Sequence, residues 1–356
     1  MSFLNNPVLQ DLRLQYPLWQ APLPFGAISV AMTGKISAQS ALGLLRLSTH
    51  ETLASLDEKV KAFQKAAHDV QRLTSHTEEE QSLSRICPSF CFAHPLPKAV
   101  ARLVRQDKAW EVLSDYFDTV LETPDVPAGF QDLLDKALSY QPKVLGFMHG
   151  MPSAEVLEKV HAKGAKSFVI CHSVAEALVA DRLGVDILVL QGLEAGGERC
   201  GFQNDLPRVE QPAWSLLQQV RRVSDKPLIL WGDFSTPVDM LMAMMVGAQG
   251  VMLDRWFMAC EDNGLPESVR ERVVLGNECQ SALTWQYTHA PMRCLKTKLT
   301  EKPLKSALGE EALFELGLKA ETMPLPISLS AIEDPHTLKQ MLENFQSALA
   351  DYVVEG

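Results

Sequence analysis

A short loop, QGLEAGGERCGF at residues 191–202, carries the residue types best suited to chemistry in this chain of 356 residues. It follows the apolar run VDILVL at residues 185–190. Ala195, Gly196 and Gly197 would let backbone N–H groups approach a flat or anionic ligand, because glycine has no Cβ in the way. Paired glycines are also typical of an ordinary turn, so both interpretations stay open.

Glu198 follows the two glycines and is itself followed by Arg199. A carboxylate can take or give a proton, but it works as an acid or base near neutral pH only if burial raises its pKa. The positive charge of Arg199 would act in the opposite direction. Glu198 is therefore either a catalytic acid or base, or an ion-paired loop residue.

Three histidines, His94, His149 and His172, stand at the ends of apolar runs. A histidine at such a position can bind a substrate or exchange a proton, and it can equally be a polar residue with a structural partner. We take His149 and His172 as candidate catalytic residues beside Glu198. The seven cysteines form no C-x-x-C pair, and no two histidines have i, i+4 spacing, so we predict reduced thiols and no metal site.

Apolar, β-rich runs followed by amphipathic stretches recur along the chain, and these elements must position the loop and the histidines. Serine or threonine begins several of the predicted helices and glycine ends them. Eight buried strands separated by helices favour a closed (β/α)8 TIM barrel, with an open doubly wound sheet as the alternative. The eight runs lie at residues 16–23, 41–47, 87–94, 143–150, 166–172, 185–192, 226–232 and 248–254.

The remaining segments are predicted to be helical or loop-like. We expect a charged helix near residues 51–81, a second near 97–121, and an amphipathic C-terminal helix over 335–354. The resulting domain prediction is a barrel over residues 1–260 and a helical and loop C-terminal segment over 261–356 that packs on it.

Composition argues against several classes of protein. The chain is 46% hydrophobic and 22% charged, with a net charge of -11, which is typical of a globular protein and argues against a nucleic-acid binder. No apolar run approaches the roughly 20 residues of a membrane helix. The opening MSFLNNPVLQ does not have the basic start of a signal peptide, so we expect a cytoplasmic protein.

The loop QGLEAGGERCG resembles the characteristic segment of the nitronate monooxygenase family, also called the 2-nitropropane dioxygenase family, which includes FMN-dependent enoyl-(acyl-carrier-protein) reductases. The likeness spans about residues 16–300. Other similar segments occur in the same order: YPLWQAPLPFGAIS, GMPSAEVLEKVHAKGAKSFVICHSVAEALVADRLGVDILVLQG, KPLILWGDFSTPVDMLMAMMVGAQGVMLDRWFMACED and HAPMRCLKTKL.

The resemblance implies an FMN-binding barrel with the flavin ring over its mouth and the phosphate near the loops after the last two strands. In the family a histidine after Gly-Gly is the catalytic base, and here that position is Glu198. The positions that would contact the flavin are Ala21, Pro22, Leu23, Cys91, Ala195, Gly196, Gly197, Gly232, Asp233, Asp254 and Arg255.

Several of these positions depart from the family pattern. Cys91 replaces an asparagine of the family. The family's Gly-Gly pair after the seventh strand is Gly232-Asp233 here, and its Gly-Thr or Gly-Ser pair after the eighth strand is Asp254-Arg255. A carboxylate about 4 Å from a phosphate costs on the order of 4 kcal/mol per charge pair at an effective dielectric constant near 20, although Arg255 would offset part of it. FMN is therefore either retained, in a changed pocket, or lost.

Three functions remain open. The first is an FMN-dependent oxidoreductase that resembles nitronate monooxygenase and acts on a small nitronate or related substrate. The second is an FMN-dependent enoyl-thioester reductase of acyl-chain or polyketide assembly. The third is a flavin-free barrel that serves as a binding or assembly partner, and the C-terminal helix would then contact a protein partner or a second copy of the chain.

Overall fold

The computed structural model describes residues 6–48, 51–74, 86–93, 129–201, 211–284, 290–297, 300 and 325–353. In this part of the chain, eight parallel strands form one sheet in the order β1-β9-β8-β6-β5-β4-β3-β2. They are β1 (Leu18–Gln20), β2 (Leu44–Leu47), β3 (Ser89–Ala93), β4 (Val144–Met148), β5 (Lys166–Cys171), β6 (Ile187–Gln191), β8 (Leu228–Trp231) and β9 (Gly250–Leu253).

The sheet closes on itself between β1 and the residues that lead into β2. A parallel bridge joins Trp19 to Leu42. The Gln20 N–H donates to the Leu42 carbonyl at 2.8 Å, and the Leu42 N–H donates to the Leu18 carbonyl at 2.9 Å. These contacts remove the open edges of the sheet. The predicted TIM barrel is therefore confirmed, and the open doubly wound sheet is excluded.

Most residues of the strands are apolar because both faces of the sheet are covered. β4, β6, β8 and β9 consist of buried residues only. Inside the barrel the Trp19 and Phe168 rings meet edge to face, with centroids 5.5 Å apart. Gly146 leaves the space for this ring, since a Cβ there would lie 2.0 Å from Cζ of Phe168.

Helices follow most strands on the outside, as the serine and threonine caps predict. Ser153, Ser173 and Thr236 each accept a backbone N–H bond at the start of a helix. The described helices are α1 (Pro7–Leu12), α2 (Val30–Ala38), α3 (Leu53–Thr74), α4 (Phe130–Ser139), α5 (Ala154–Ala162), α6 (Val174–Arg182), α7 (Ala213–Arg221), α8 (Pro237–Met245), α9 (Arg255–Ala259), α10 (Glu267–Leu275) and α11 (Leu338–Val353).

A small antiparallel sheet lies beside the barrel mouth. It pairs β10 (Ser281–Thr284) with β11 (Met292–Leu295), and β11 with the short strand β7 (Gly197–Glu198). Residues 325–334 then return to the barrel, and we call them the C-terminal strap. α11 follows the strap, and its Leu338 and Phe345 are buried in the same hydrophobic cluster as the barrel core.

Of the three helices predicted at residues 51–81, 97–121 and 335–354, two are present and one cannot be compared with the structure. α3 lies within the charged stretch at residues 51–81, and α11 corresponds to the amphipathic stretch at 335–354. The helix predicted near 97–121 lies outside the described residues. The division into domains at residue 260 stays a prediction. None of the helices that the structure describes is long and apolar enough to cross a membrane.

Candidate active site at the mouth of the barrel

The predicted site residues gather at one end of the barrel because parallel strands end at the same side of the sheet. Ala21, Pro22 and Leu23 follow β1, and His149 and His172 follow β4 and β5. The glycine loop follows β6. Gly232 and Asp233 follow β8, while Asp254 and Arg255 follow β9.

Glu198 lies at this end of the barrel and forms an ion pair. Its Oε2 atom is 2.8 Å from Nη2 of Arg46, and the two side chains are 6% and 13% exposed. Nε2 of His149 lies 3.6 Å from the same oxygen. The structure thus brings together two of the three predicted catalytic residues, with a guanidinium that the sequence did not indicate as a partner.

Backbone pairing holds Glu198 in this position. Met292 of β11 pairs with Glu198, and Arg293 pairs with Gly197. On the other side, Nε2 of Gln191 donates to the Glu198 carbonyl at 2.8 Å, and the Cys200 N–H donates to Oε1 of Gln191 at 2.9 Å. The carboxylate is therefore presented by a loop fixed at both ends, which favours a defined geometry.

Arg199 binds the backbone of the glycine loop through its guanidinium group. Its Nη1 donates to the Gly192 carbonyl at 2.7 Å, and its Nη2 donates to the Leu193 carbonyl. Arg293 adds a bond from Nε to the same Leu193 carbonyl at 3.0 Å. The two guanidinium groups thus brace the backbone of the glycine loop, and the charge opposite Glu198 comes from Arg46.

His149 and His172 differ in their surroundings. The His149 N–H donates to the Cys200 carbonyl at 2.7 Å, and its φ of 64° turns the chain at the end of β4 toward Glu198. His172 has its Nε2 2.8 Å from Oε1 of Gln191 and 2.8 Å from the Gly201 nitrogen. Burial, with the nearby charge of Arg199, lowers the pKa of His172 to about 3. This imidazole is neutral and engaged with the loop.

Cys91 lies directly beside Arg46, because these two residues are paired in the register of β2 and β3. The side chain is fully buried. Burial raises the pKa of Cys91 to about 12, although the positive charge of Arg46 acts against this. Cys91 is therefore a neutral thiol on the wall of the barrel, next to the ion pair.

At the ends of β8 and β9 the two aspartates are engaged with the protein itself. Asp254 accepts the Gly196 N–H at 2.6 Å and the Trp231 Nε1–H at 3.3 Å. Burial raises the pKa of Asp254, while Arg255 and these donors oppose the shift. Asp233 accepts the Ser330 N–H at 2.9 Å and also its hydroxyl group.

Arg255 is fully buried and faces the C-terminal strap. Its Nη1 donates to the carbonyls of Gly276 and Ser330, and its Nη2 donates to the Ser328 carbonyl at 2.6 Å. A phosphate at these strand ends would need hydrogen bonds from backbone amides and from a cation. The amides already donate to the aspartate carboxylates, and Arg255 already donates to backbone carbonyls. The residues present therefore do not fit the phosphate of FMN at these two loops.

Other protein atoms also pack closely against Gly196 and Gly197. A Cβ on Gly196 would lie 2.5 Å from the carbonyl carbon of Ile327, and one on Gly197 would lie 2.9 Å from Cδ2 of Leu23. Ala21 and Ala195 are completely buried. These glycines thus serve close packing, and they do not form an open cradle.

Three contributors to this site are not among the residues predicted from the sequence. Arg46 had a signal, since it is the one charged residue of the apolar run ALGLLRL. Gln191 ends a buried strand with an amide, which is also unusual enough to notice. The strap gave no local signal, because residues 325–334 meet the barrel only through tertiary contacts with Asp233 and Arg255.

Comparisons with known proteins agree with this architecture. A sequence profile described as nitronate monooxygenase matches residues 6–322. A probable nitronate monooxygenase of Staphylococcus haemolyticus is 26% identical over 306 residues, which cover 83% of this chain and 80% of that protein. One of Bacillus subtilis is 25% identical over 324 residues, which cover 90% and 84%.

Two solved structures share the fold. Nitroalkane oxidase from Streptomyces ansochromogenes has a TM-score of 0.71 at 21% identity, covering 96% of this chain and 98% of that one. FabK from Thermotoga maritima has a TM-score of 0.62 at 17% identity, covering 97% and 96%. At these identities the two structures show the barrel alone. The profile, in contrast, covers most of the chain, and the protein therefore belongs to the nitronate monooxygenase family.

Proposed function

We propose that this chain is a flavin-dependent oxidoreductase that acts on a small nitronate or its parent nitroalkane, with Glu198 as the group that takes and returns the substrate proton. Family membership over residues 6–322 supports the oxidoreductase class. The single observation that carries the assignment of Glu198 is its placement, buried at the barrel mouth and 2.8 Å from Arg46.

Glu198 is a buried carboxylate at the barrel mouth, and its side chain is 6% exposed. In the proposed step, an oxygen of the Glu198 carboxylate accepts a proton from the carbon next to a nitro group. The electron pair of the broken C–H bond moves onto the nitro group, which becomes a nitronate. Nη2 of Arg46 and Nε2 of His149 lie 2.8 and 3.6 Å from Oε2 of Glu198, and both side chains can donate hydrogen bonds to an anion.

Preorganisation supports the same assignment. Glu198 is fixed through its backbone by Gln191 and by pairing with Met292. A base held in place before the substrate arrives loses little freedom at the moment of reaction, which is the condition for efficient general base catalysis. The neutral thiol of Cys91 lies beside the Arg46–Glu198 ion pair and adds no charge to the site.

The first test follows the proton directly. The full chain is incubated with nitroethane in D2O, and proton NMR follows loss of the signal from the hydrogens on the carbon that bears the nitro group. We expect exchange faster than in buffer alone, and we expect it without an added cofactor. Exchange at the buffer rate would contradict the role of Glu198, whatever the chain does with a flavin.

The second test follows oxidation. Consumption of propionate 3-nitronate is measured with and without added FMN, beside NADH-driven reduction of a crotonyl thioester. Turnover of the nitronate supports the proposed substrate class, and turnover of the thioester alone would replace it with enoyl reduction.

A second candidate, a barrel that binds its ligand without a flavin, is favoured by one specific observation. Asp233 and Asp254 stand at the strand ends where a phosphate would be held, and both already accept hydrogen bonds from the protein. A colourless protein that neither exchanges the nitroethane protons nor oxidises the nitronate would favour this candidate.

A further inference from the structure

The loops after the last two strands are the usual phosphate site of a TIM barrel, because backbone amides and a helix N-terminus meet there. In this chain those loops are Gly232–Asp233 and Asp254–Arg255. What occupies them decides whether a phosphorylated ligand can be held at the barrel mouth.

The hydrogen-bond donors at this place are already bound to carboxylates. The Gly196 N–H and the Trp231 indole N–H both donate to Oδ2 of Asp254. The Ser330 N–H donates to both oxygens of Asp233, at 3.1 and 2.9 Å. Each aspartate thus makes the contacts that a phosphate oxygen would make, and each would repel a phosphate that came to replace it.

The cation at this place is also engaged. Arg255 is fully buried, and its guanidinium donates to carbonyls of Gly276, Ser328 and Ser330. Two of these carbonyls belong to the strap. To bind a phosphate, Arg255 would have to release them and leave buried carbonyls without a donor, which is costly.

The strap is fixed on both sides of these contacts. The Leu295 N–H donates to the Leu325 carbonyl at 2.9 Å, and the Ile332 N–H donates to the Val274 carbonyl at 3.1 Å. Leu325, Ile327 and Ser328 are buried. Backbone atoms of Ile327 and Ser328 lie so close to Gly196 that even a methyl group would not fit between them.

We infer that the C-terminal strap, together with Asp233 and Asp254, takes the place of a ligand phosphate at the ends of β8 and β9, so that this chain does not anchor a phosphorylated flavin or nucleotide there. The protein supplies its own anionic oxygens and its own backbone where the fold elsewhere accepts a phosphate. This inference stands apart from the proton transfer by Glu198, which lies at the β2 and β7 side of the mouth.

The test compares two flavins that differ only in the phosphate. Equilibrium dialysis of the full chain gives the dissociation constants of FMN and riboflavin. One charge-assisted hydrogen bond to a phosphate raises affinity by about tenfold or more. We therefore expect FMN to bind less than about tenfold more tightly than riboflavin, or neither flavin to bind.

If FMN binds more than about tenfold more tightly than riboflavin, two variants show where its phosphate binds. Arg255→Gln removes the cation, and Asp233→Asn removes one negative charge with little change in shape. A preference for FMN that falls in Arg255→Gln, or rises in Asp233→Asn, would overturn the inference. A preference that both variants leave unchanged places the phosphate elsewhere and supports it. The Asp233→Asn result decides the matter if Arg255→Gln does not fold.

Hydrogen exchange gives an independent readout. Peptides that cover residues 325–334 are followed by mass spectrometry with saturating FMN, with riboflavin and without either. We expect the same exchange of the strap in all three samples. Faster exchange with FMN but not with riboflavin would show that the phosphate displaces the strap, and the inference would be wrong.

Discussion

Oε2 of Glu198 lies 2.8 Å from Nη2 of Arg46, and this contact joins a residue after the sixth barrel strand to one within the second. Arg46 is the partner that makes a buried carboxylate tolerable at the mouth. The same pair therefore serves the stability of the barrel and the proposed proton transfer.

Replacing Glu198 by glutamine should abolish the exchange of nitroethane protons. Glutamine keeps the shape but cannot accept a proton, and general base catalysis typically contributes about 10²–10⁴-fold. Proton NMR in D2O measures the loss. Glu194→Gln is the matched control, since Glu194 is a buried carboxylate of the same loop that accepts the Ala213 N–H at 2.8 Å. Equal losses in both variants would argue that the loop, and not Glu198, matters.

Removing Arg46 should destabilise the fold. Arg46→Met leaves the Glu198 carboxylate buried without its guanidinium, which costs about 3–5 kcal/mol of unfolding free energy. Most of this cost should disappear in the double variant Arg46→Met with Glu198→Gln, because no charge is then stranded. Urea unfolding of the four proteins of this cycle measures the coupling, and strictly additive effects would contradict the ion pair.

Replacing Arg255 by lysine should loosen the strap. An ammonium group cannot span the carbonyls of Gly276, Ser328 and Ser330 as the planar guanidinium does. We expect a loss of about 2–4 kcal/mol in unfolding free energy and faster amide exchange over residues 325–334. Peptides from β5 serve as the internal reference. Unchanged exchange of the strap would mean that Arg255 does not hold it.

Adding one methyl group at Gly196 should push the strap away. The new Cβ would lie 2.5 Å from the Ile327 carbonyl carbon and 2.8 Å from the Ser328 nitrogen, and overpacking of this kind costs about 1–3 kcal/mol. The control is Gly164→Ala, where the added Cβ has nothing within 4 Å but the backbone φ is +74°. That variant should lose about 1–2 kcal/mol while the exchange of the strap stays the same.

His172 should make the protein less stable in acid. Its pKa is lowered from 6.5 to about 3, mainly by burial and next by the charge of Arg199. The unfolded chain therefore takes up a proton near pH 6.5 that the folded chain refuses until about pH 3. The stability that depends on neutral His172 is complete above pH 6.5 and declines as pH falls toward 3, by up to about 1.4 kcal/mol per pH unit.

The variant His172→Gln isolates this contribution. Urea unfolding at pH 7, 6, 5 and 4 should show a smaller loss of stability in the variant than in the original chain, because glutamine does not titrate. Parallel pH dependences in the two proteins would show that His172 is not the group responsible.

Part of the candidate site could be predicted from local sequence. Glu198 follows Gly196 and Gly197 at the end of a buried strand, and His149 ends another apolar run of the same kind, so the sequence predicts both at the mouth. Arg46 was missed because a charged residue in an apolar strand shows that something must neutralise it, but does not say what. The functional roles of these residues stay predictions until the proton exchange is measured.

The amino-acid sequence alone determined the alternation of buried strands and helices, because apolar runs such as ILVL and helix caps such as Ser173 and Thr236 act over a few residues and are visible in order along the chain. Only the tertiary structure decided which charges meet. Arg46 pairs with Glu198 across the mouth, and Asp233 and Arg255 bind a strap that follows them by some 70–100 residues. Burial and Coulomb energies depend on distance in space, and no local pattern contains that distance.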